Sequence, residues 1–229
     1  MIIMKERIFD LLKEQDKLNT IINPTWKDDR TSEDFKRAMI VESGELLDHT
    51  AFKWWKKQEV DIPQSKIEII DLWFFFFSLL ILNINHTPSM IFSGAGRYEN
   101  KLEYFVTMFS RFSGFRRDME WDTKLVQERT IRFVYEVAQG KVHLLSCMYE
   151  LLELTTVAGI TFDELYKLYM GKLVLNIFRQ EHGYSDGTYV KIWKDGLEDN
   201  QVLEKIMSET TDVDSINQLL LVEYNARMD

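Results

Sequence analysis

The stretch Ile67–Ile84, IEIIDLWFFFFSLLILNI, constrains this chain more than any other. Its 18 residues come close to the length at which a helix spans a bilayer. Two acids, Glu68 and Asp71, nevertheless sit inside it, and each acid at membrane depth costs about 2.5 kcal/mol or more. No strongly basic flank would set an orientation across a membrane. The stretch therefore reads as a helix buried in a protein core. A carboxylate in such a helix is costly unless something answers its charge. The run that demands a core thus also predicts a site.

The rest of the chain can supply that core. Of 229 residues, 45% are hydrophobic and 13% aromatic, enough for one compact domain over 1–229, with lobes 1–93 and 120–229 as the alternative division. Only three prolines and ten glycines interrupt long periodic stretches, which predicts an all-α fold. Helices are expected at about 5–20, from Thr31 to about Lys57, from Gln64 or Ser65 to Asn85 after a break at Pro63, and at 123–139, 141–157 and 162–181. Two short helices, near 200–208 and 212–226, close the chain. Residues 23–29 read as a loop, Thr87–Gly96 as a linker, 97–118 as ambiguous with an interruption at Gly114, and 182–200 as a functional loop.

A net charge of −9 argues against non-specific duplex binding, which needs a basic stripe. It leaves room for a small phosphorylated ligand reached through a metal. Cys147 is the single cysteine, which excludes an intramolecular disulfide and a thiolate zinc cluster and suits a reduced, cytoplasmic setting. It lies in an apolar stretch with no evident base, and no glycine-rich phosphate loop is present. The N-terminus becomes charged too soon for a signal peptide. The four histidines show no metal-like grouping.

Glu42 and Glu45 in VESGELLD repeat the i,i+3 spacing of Glu68 and Asp71, so each pair points from one helix face. A short connection between the two helices predicts antiparallel packing that brings the pairs together. Four converging carboxylates repel one another unless a hard cation sits among them, and Mg²⁺ suits carboxylates plus phosphates, with Mn²⁺ as a substitute. Such a cluster can orient a water for in-line attack on phosphorus. The plain alternative, a solvated face, is reasonable for the first pair but poor for the second. On α-helical spacing Lys172, Asn176 and Arg179 also share a face, followed by Tyr184 and Lys191. From spacing alone these are either a solvated basic helix or groups able to hold phosphates and a base edge.

E-x-x-E, 22 residues, then E-x-x-D resembles the signature of the all-α nucleoside triphosphate pyrophosphatases, the MazG-like superfamily that includes the dimeric dUTPases. VESGELLD followed by FKWWKK, Gln15 and Asn19 on the first helix, and the segment 176–200 are similar to the dimeric dUTPases themselves. The resemblance implies Mg²⁺-dependent hydrolysis of dUTP, and of dUDP, to dUMP by a homodimer. It implies Glu42 as water-activating base and metal ligand, with Glu45, Glu68 and Asp71 as further ligands. Lys172, Arg179 and Lys191 would meet the phosphates and Tyr184 the substrate. Asn176, with Gln15 and Asn19 supplied across the dimer interface, would read uracil, and Trp54 or Trp55 would contact the base. Many relatives carry His where this chain has Phe74, which bears on sugar and base selectivity; Phe74–Phe77 otherwise reads as core. The alternatives are a dCTP or broader nucleotide pyrophosphatase, and a non-catalytic helical protein that binds partners, a regulatory protein among them.

One numerical echo remains. Glu150 and Glu153 precede Asn176 and Arg179 by the same 26 positions that separate Glu42 and Glu45 from Glu68 and Asp71. This predicts a degenerate duplication of two antiparallel hairpins plus accessory helices, the second hairpin formed by the helices at 141–157 and 162–181. Glu150 and Glu153 lack a second acidic pair and are not expected to bind metal.

Overall fold

The computed structural model describes residues 2–84, 101–114, 119–140, 143–193 and 196–226. The fold is all-α: 77% of the described residues are helical, and they contain no β-strand. The helices are α1 (Ile2–Ile22), α2 (Trp26–Asp29), α3 (Ser32–His49), α4 (Ile62–Ile84), α5 (Lys101–Gly114), α6 (Thr123–Ala138), α7 (Leu144–Val157), α8 (Phe162–Glu181), α9 (Asp199–Glu209) and α10 (Val213–Ala226). The linker expected at Thr87–Gly96 lies outside the described residues.

α4 is the centre. Ile69, Ile70, Leu72, Trp73, Phe76, Phe77, Leu79 and Leu80 are fully buried, and α4 packs on α1, α3, α7, α8 and α9. Trp73 shows why so apolar a helix still takes one orientation: its indole donates to Thr155 Oγ1 at 3.0 Å, and Phe76, Phe77 and Phe109 surround the ring. No single helix among the described residues is long and apolar enough to cross a membrane; α7 and α8 together reach that length only as a pair bent by 101°.

α3 and α4 form an antiparallel hairpin, joined at one end by Asp61 N–H to His49 O (2.9 Å) and at the other by Ser32 Oγ to Asn83 Oδ1 (3.0 Å). α3 opens on a capping box, in which the Thr31 backbone N–H donates to Asp34 at 2.9 Å. It stops at His49, not near Lys57. Ala51 takes the left-handed conformation (φ 55°), and Trp54 and Trp55 beyond it have no core to pack against, so the apolar residues there do not extend the helix. Pro63 does not break the chain ahead of α4. It sits in the first turn, where a missing N–H is harmless, behind Asp61, whose carboxylate accepts from Gln64 N–H at 3.1 Å. Within the expected loop 23–29, Trp26 is buried, T-shaped against Phe35, and nucleates the single turn α2. α5 occupies part of the ambiguous stretch, carried by buried Phe105, Val106 and Phe109.

The second antiparallel hairpin is made by different helices from those the numerical echo suggested. α6 and α7 pair, with Asp122 N–H donating to Val157 O (3.2 Å) where α6 begins and α7 ends. Between α7 and α8 the chain turns by 101°, short of a reversal. Gly159 sets that corner: its φ is +67°, and a Cβ there would lie 2.7 Å from Met119 O. Arg129 on α6 spans Glu150 (3.1 Å) and Glu153 (3.2 Å), so these acids neutralise a guanidinium within the hairpin. α8 then runs past α1 and α4 and carries a smaller apolar cluster with α9 and α10, in which Phe178, Leu203 and Tyr224 are buried.

Candidate active site

Helical spacing places the polar groups of α1, α3, α4 and α8 on facing sides of one cavity. On α4, Glu68, Asp71, Phe75 and Ser78 recur at three- and four-residue intervals, as do Tyr169, Lys172, Asn176 and Arg179 on α8. α1 adds Gln15 and Asn19, and α3 adds Glu42 and Glu45. The cavity holds about 420 Å³, and all of these residues except Tyr169 line it. Gln15 and Asn19 therefore reach this site from the same chain that carries the carboxylates. Tyr184 and Lys191, from the loop after α8, complete one wall, Lys191 lying 5.6 Å above the Tyr184 ring.

Three carboxylates form the acidic corner: oxygens of Glu42, Glu68 and Asp71 lie within 4.8 Å of one another. Glu45 lines the same cavity but is exposed and stands outside this group of three. Burial, and then the neighbouring Asp71 charge, raise both Glu42 and Glu68 well above the usual carboxylate range. Glu42 and Glu68 also share a side-chain hydrogen bond that favours the proton on Glu68. His49 Nε2 is 3.6 Å from Glu68 Oε1, a contact that its position at the end of α3 did not advertise.

The basic corner is buried, not solvated. Lys172, 1% exposed, pairs with Asp71 at 3.0 Å and donates to Asn200 Oδ1 at 2.8 Å. Arg179 grips Asp199 through a fork, Nε to Oδ2 and Nη2 to Oδ1, each at 2.8 Å. Its Nη1 donates to Asn176 Oδ1 at 3.2 Å. Tyr189 also donates to Asp199, at 2.9 Å. Burial alone would raise Asp199, but the Arg179 hydrogen bonds and charge hold it below its ordinary value. Burial opposes the charge on Arg179 as well, and Asp199 outweighs it, so the guanidinium stays protonated.

The amide corner is a continuous network. Gln15 Nε2 donates to Asn19 Oδ1 (2.9 Å) and Ser78 Oγ (3.0 Å), and Asn19 Nδ2 donates to Ser78 Oγ (2.9 Å). The Tyr169 hydroxyl donates to Gln15 Oε1. Phe74 lies flat on Tyr169, ring centres 4.0 Å apart and planes 1° from parallel. Phe74, Phe76 and Phe77 are buried in the core as expected and half-buried Phe75 packs against it, while Phe74 and Phe75 also line the cavity. Trp54 and Trp55 are not brought to the cavity: they are 89% and 61% exposed and pack T-shaped on each other. Cys147 is buried in α7, and burial pushes its thiol up to about 12, so it is no nucleophile.

A sequence-family model of dUTPases matches residues 7–184. The chain belongs to the all-α family of dimeric dUTPases. No curated protein matches it. The activity of the family is that of a dUTP diphosphatase, so the enzyme hydrolyses dUTP. The match takes in every residue singled out above from the sequence except Lys191. Asp199, Asn200, Ser78, Tyr169 and His49 were not picked out by sequence reasoning. An acid–amide pair at the start of α9 is an ordinary helix opening, and nothing local announces that Asp199 and Asn200 turn inward onto Arg179 and Lys172.

Proposed function

We propose that the enzyme carries out Mg²⁺-dependent hydrolysis of dUTP, and of dUDP, to dUMP in the cytoplasm, releasing pyrophosphate or phosphate and keeping uracil out of DNA. The observation that carries this reading is the set of three carboxylates within 4.8 Å, lining one cavity together with buried Lys172 and Arg179. The donor set fits a hard divalent ion: all oxygen, clustered, and costly to charge as it stands because it is buried and then because the acids adjoin. Glu42, Glu68 and Asp71 would hold magnesium, with Glu45 reaching in from the rim and Mn²⁺ as a substitute. Such an ion would neutralise the carboxylates and screen the phosphate charge.

Glu42 takes the proton of a water aimed at the α-phosphorus. Lys172, Arg179 and Lys191 answer the charge of the phosphate chain, and Tyr184 flanks it. Asn19, Gln15 and Asn176 meet the uracil edge. A homodimer belongs to the same reading: Phe52, Trp54 and Trp55 form an exposed aromatic patch that a second copy would cover. The test is a panel of dNTPs and dNDPs with and without Mg²⁺, run in ¹⁸O-water. Label in dUMP is expected; label in pyrophosphate alone, or full activity in excess chelator, overturns the proposal. Sedimentation velocity on the full chain tests the dimer, which a monomer at assay concentration would refute.

A further inference from the structure

Behind the amides of α1 lies a hydrogen-bond chain whose polarity is set by one backbone carbonyl. Ser78 Oγ is 2.9 Å from Phe74 O. A carbonyl only accepts, so the single hydroxyl hydrogen is committed there, and Ser78 offers just lone pairs to its other partners. Gln15 and Asn19 both contact that oxygen, at 3.0 and 2.9 Å, and both must present N–H to it. The remaining N–H of Gln15 reaches Asn19 Oδ1, and its carbonyl accepts from Tyr169. Both N–H groups of Gln15 are thus engaged, which leaves it one carbonyl lone pair, and it is only 2% exposed. Tyr169, fully buried and stacked on Phe74, closes the chain at its far end.

Asn19 is the half-buried member that lines the cavity. The network leaves it one N–H and one oxygen lone pair, in a fixed hand. Uracil offers an N3–H beside the C4 carbonyl oxygen. The free Asn19 lone pair accepts from the first or its free N–H donates to the second, one contact at a time, because the edge carrying oxygen and N–H side by side already faces Gln15 and Ser78. Cytosine offers the reverse, a ring nitrogen acceptor beside an amino donor. To serve cytosine the Asn19 carboxamide would have to turn over. Its oxygen would then face the Ser78 lone pairs and its NH₂ would face the Gln15 N–H, so two hydrogen bonds would become two repulsions.

We propose that Ser78, with the Phe74 carbonyl and Tyr169 behind it, is a specificity-determining positioning residue that locks the Asn19 carboxamide in the hand that accepts uracil and rejects cytosine. This rests on the reading that Asn19 meets the base edge. The lock acts on the imide edge alone, so it separates uracil from cytosine and leaves the 5-methyl group of thymine to other contacts.

The experiment compares wild type, Ser78→Ala, Ser78→Thr, Tyr169→Phe and Asn19→Ala by kcat/KM for dUTP and dCTP, and by calorimetric Kd for dUMP and dCMP. Ser78→Ala should narrow the dUTP/dCTP ratio by at least about tenfold, in part through a gain with dCTP, and narrow the dUMP/dCMP affinity ratio likewise. Ser78→Thr keeps a hydroxyl able to bond the carbonyl four residues back and should keep the ratio. Tyr169→Phe should move it in the same direction as Ser78→Ala, and decides the matter if Ser78→Ala does not fold. If Asn19→Ala collapses the ratio while Ser78→Ala and Tyr169→Phe leave it intact, the lock is refuted and the base reading stands. If Asn19→Ala leaves the ratio unchanged, the base reading itself fails and the lock with it.

Discussion

Replacing Asp199 by Asn should expose how much of the basic corner is held by one buried carboxylate. Asp199 is 1% exposed and accepts both arms of the Arg179 fork and the Tyr189 hydroxyl. Asn is nearly isosteric but brings an NH₂ to a site where both partners donate, leaving Arg179 charged, buried and half unpaired. Breaking a buried pair from one side costs about 3–5 kcal/mol. For a chain of this size each kcal/mol moves Tm by about 2–4 °C, so the loss should be about 6–20 °C. Calorimetry at pH 7 measures it, and kcat/KM for dUTP should fall in parallel because Arg179 is no longer aimed at the cavity. The pH dependence supplies an internal control. Asp199 is held below its ordinary value in the fold, so its contribution is present above the unfolded carboxylate range and is lost as pH falls through the folded value. The gap between wild type and Asp199→Asn should therefore shrink in acid. A Tm change under about 2 °C at pH 7 would refute the claim that this pair organises the site.

Three further outcomes follow from the carboxylate corner and its neighbours. Glu68→Gln and Asp71→Asn should each leave less than about a tenth of wild-type kcat at saturating Mg²⁺, a loss exceeding roughly 1.4 kcal/mol; retention of more would remove them from the machinery. Without metal the two should diverge in stability: Glu68→Gln replaces a buried carboxyl that already holds a proton and keeps or raises Tm, whereas Asp71→Asn strips buried Lys172 of its partner and lowers it, so equal shifts would contradict the Lys172–Asp71 pairing. Glu42 and Glu68 are raised in the fold, so the stability they contribute is present below their unfolded values and lost as pH rises; metal-free wild type should lose Tm relative to Glu42→Gln/Glu68→Gln between pH 5 and 8, and a constant difference would refute the raised values. With the chain monomeric, below the concentration at which two copies pair, Trp54→Ala should change the unfolding free energy by less than about 0.5 kcal/mol, since 89% of the residue is in solvent in the single chain, and a larger loss in urea titration would mean the loop is packed.

What could be read without coordinates was whatever is local or whatever burial makes costly. Helix α8 is legible from its period and from the Thr161 start to within a residue at either end. Glu68 and Asp71 declare themselves because charge in so apolar a helix is unfavourable without an answer, and the i,i+3 and i,i+4 rule alone puts Lys172, Asn176 and Arg179 on one face. Where periodicity ran on without a core to meet, as at Phe52–Trp55, it misled; an amphipathic pattern predicts a helix only if its apolar side is buried.

Which elements converge was decided by tertiary structure. The α7–α8 corner turns on the approach of Gly159 to the Met119 carbonyl, a contact across 40 positions that no spacing encodes. The same holds for Asp199 and Asn200 closing on Arg179 and Lys172, and for Ser78 and Tyr169 behind Gln15 and Asn19. Each of these side chains is unremarkable on its own helix, and it acquires a role only from the donor or acceptor that a different helix places within about 3 Å of it. Periodicity therefore determined which faces carry polar groups, and packing determined which group each one meets, because a hydrogen bond depends on distances between helices that a single helix does not contain.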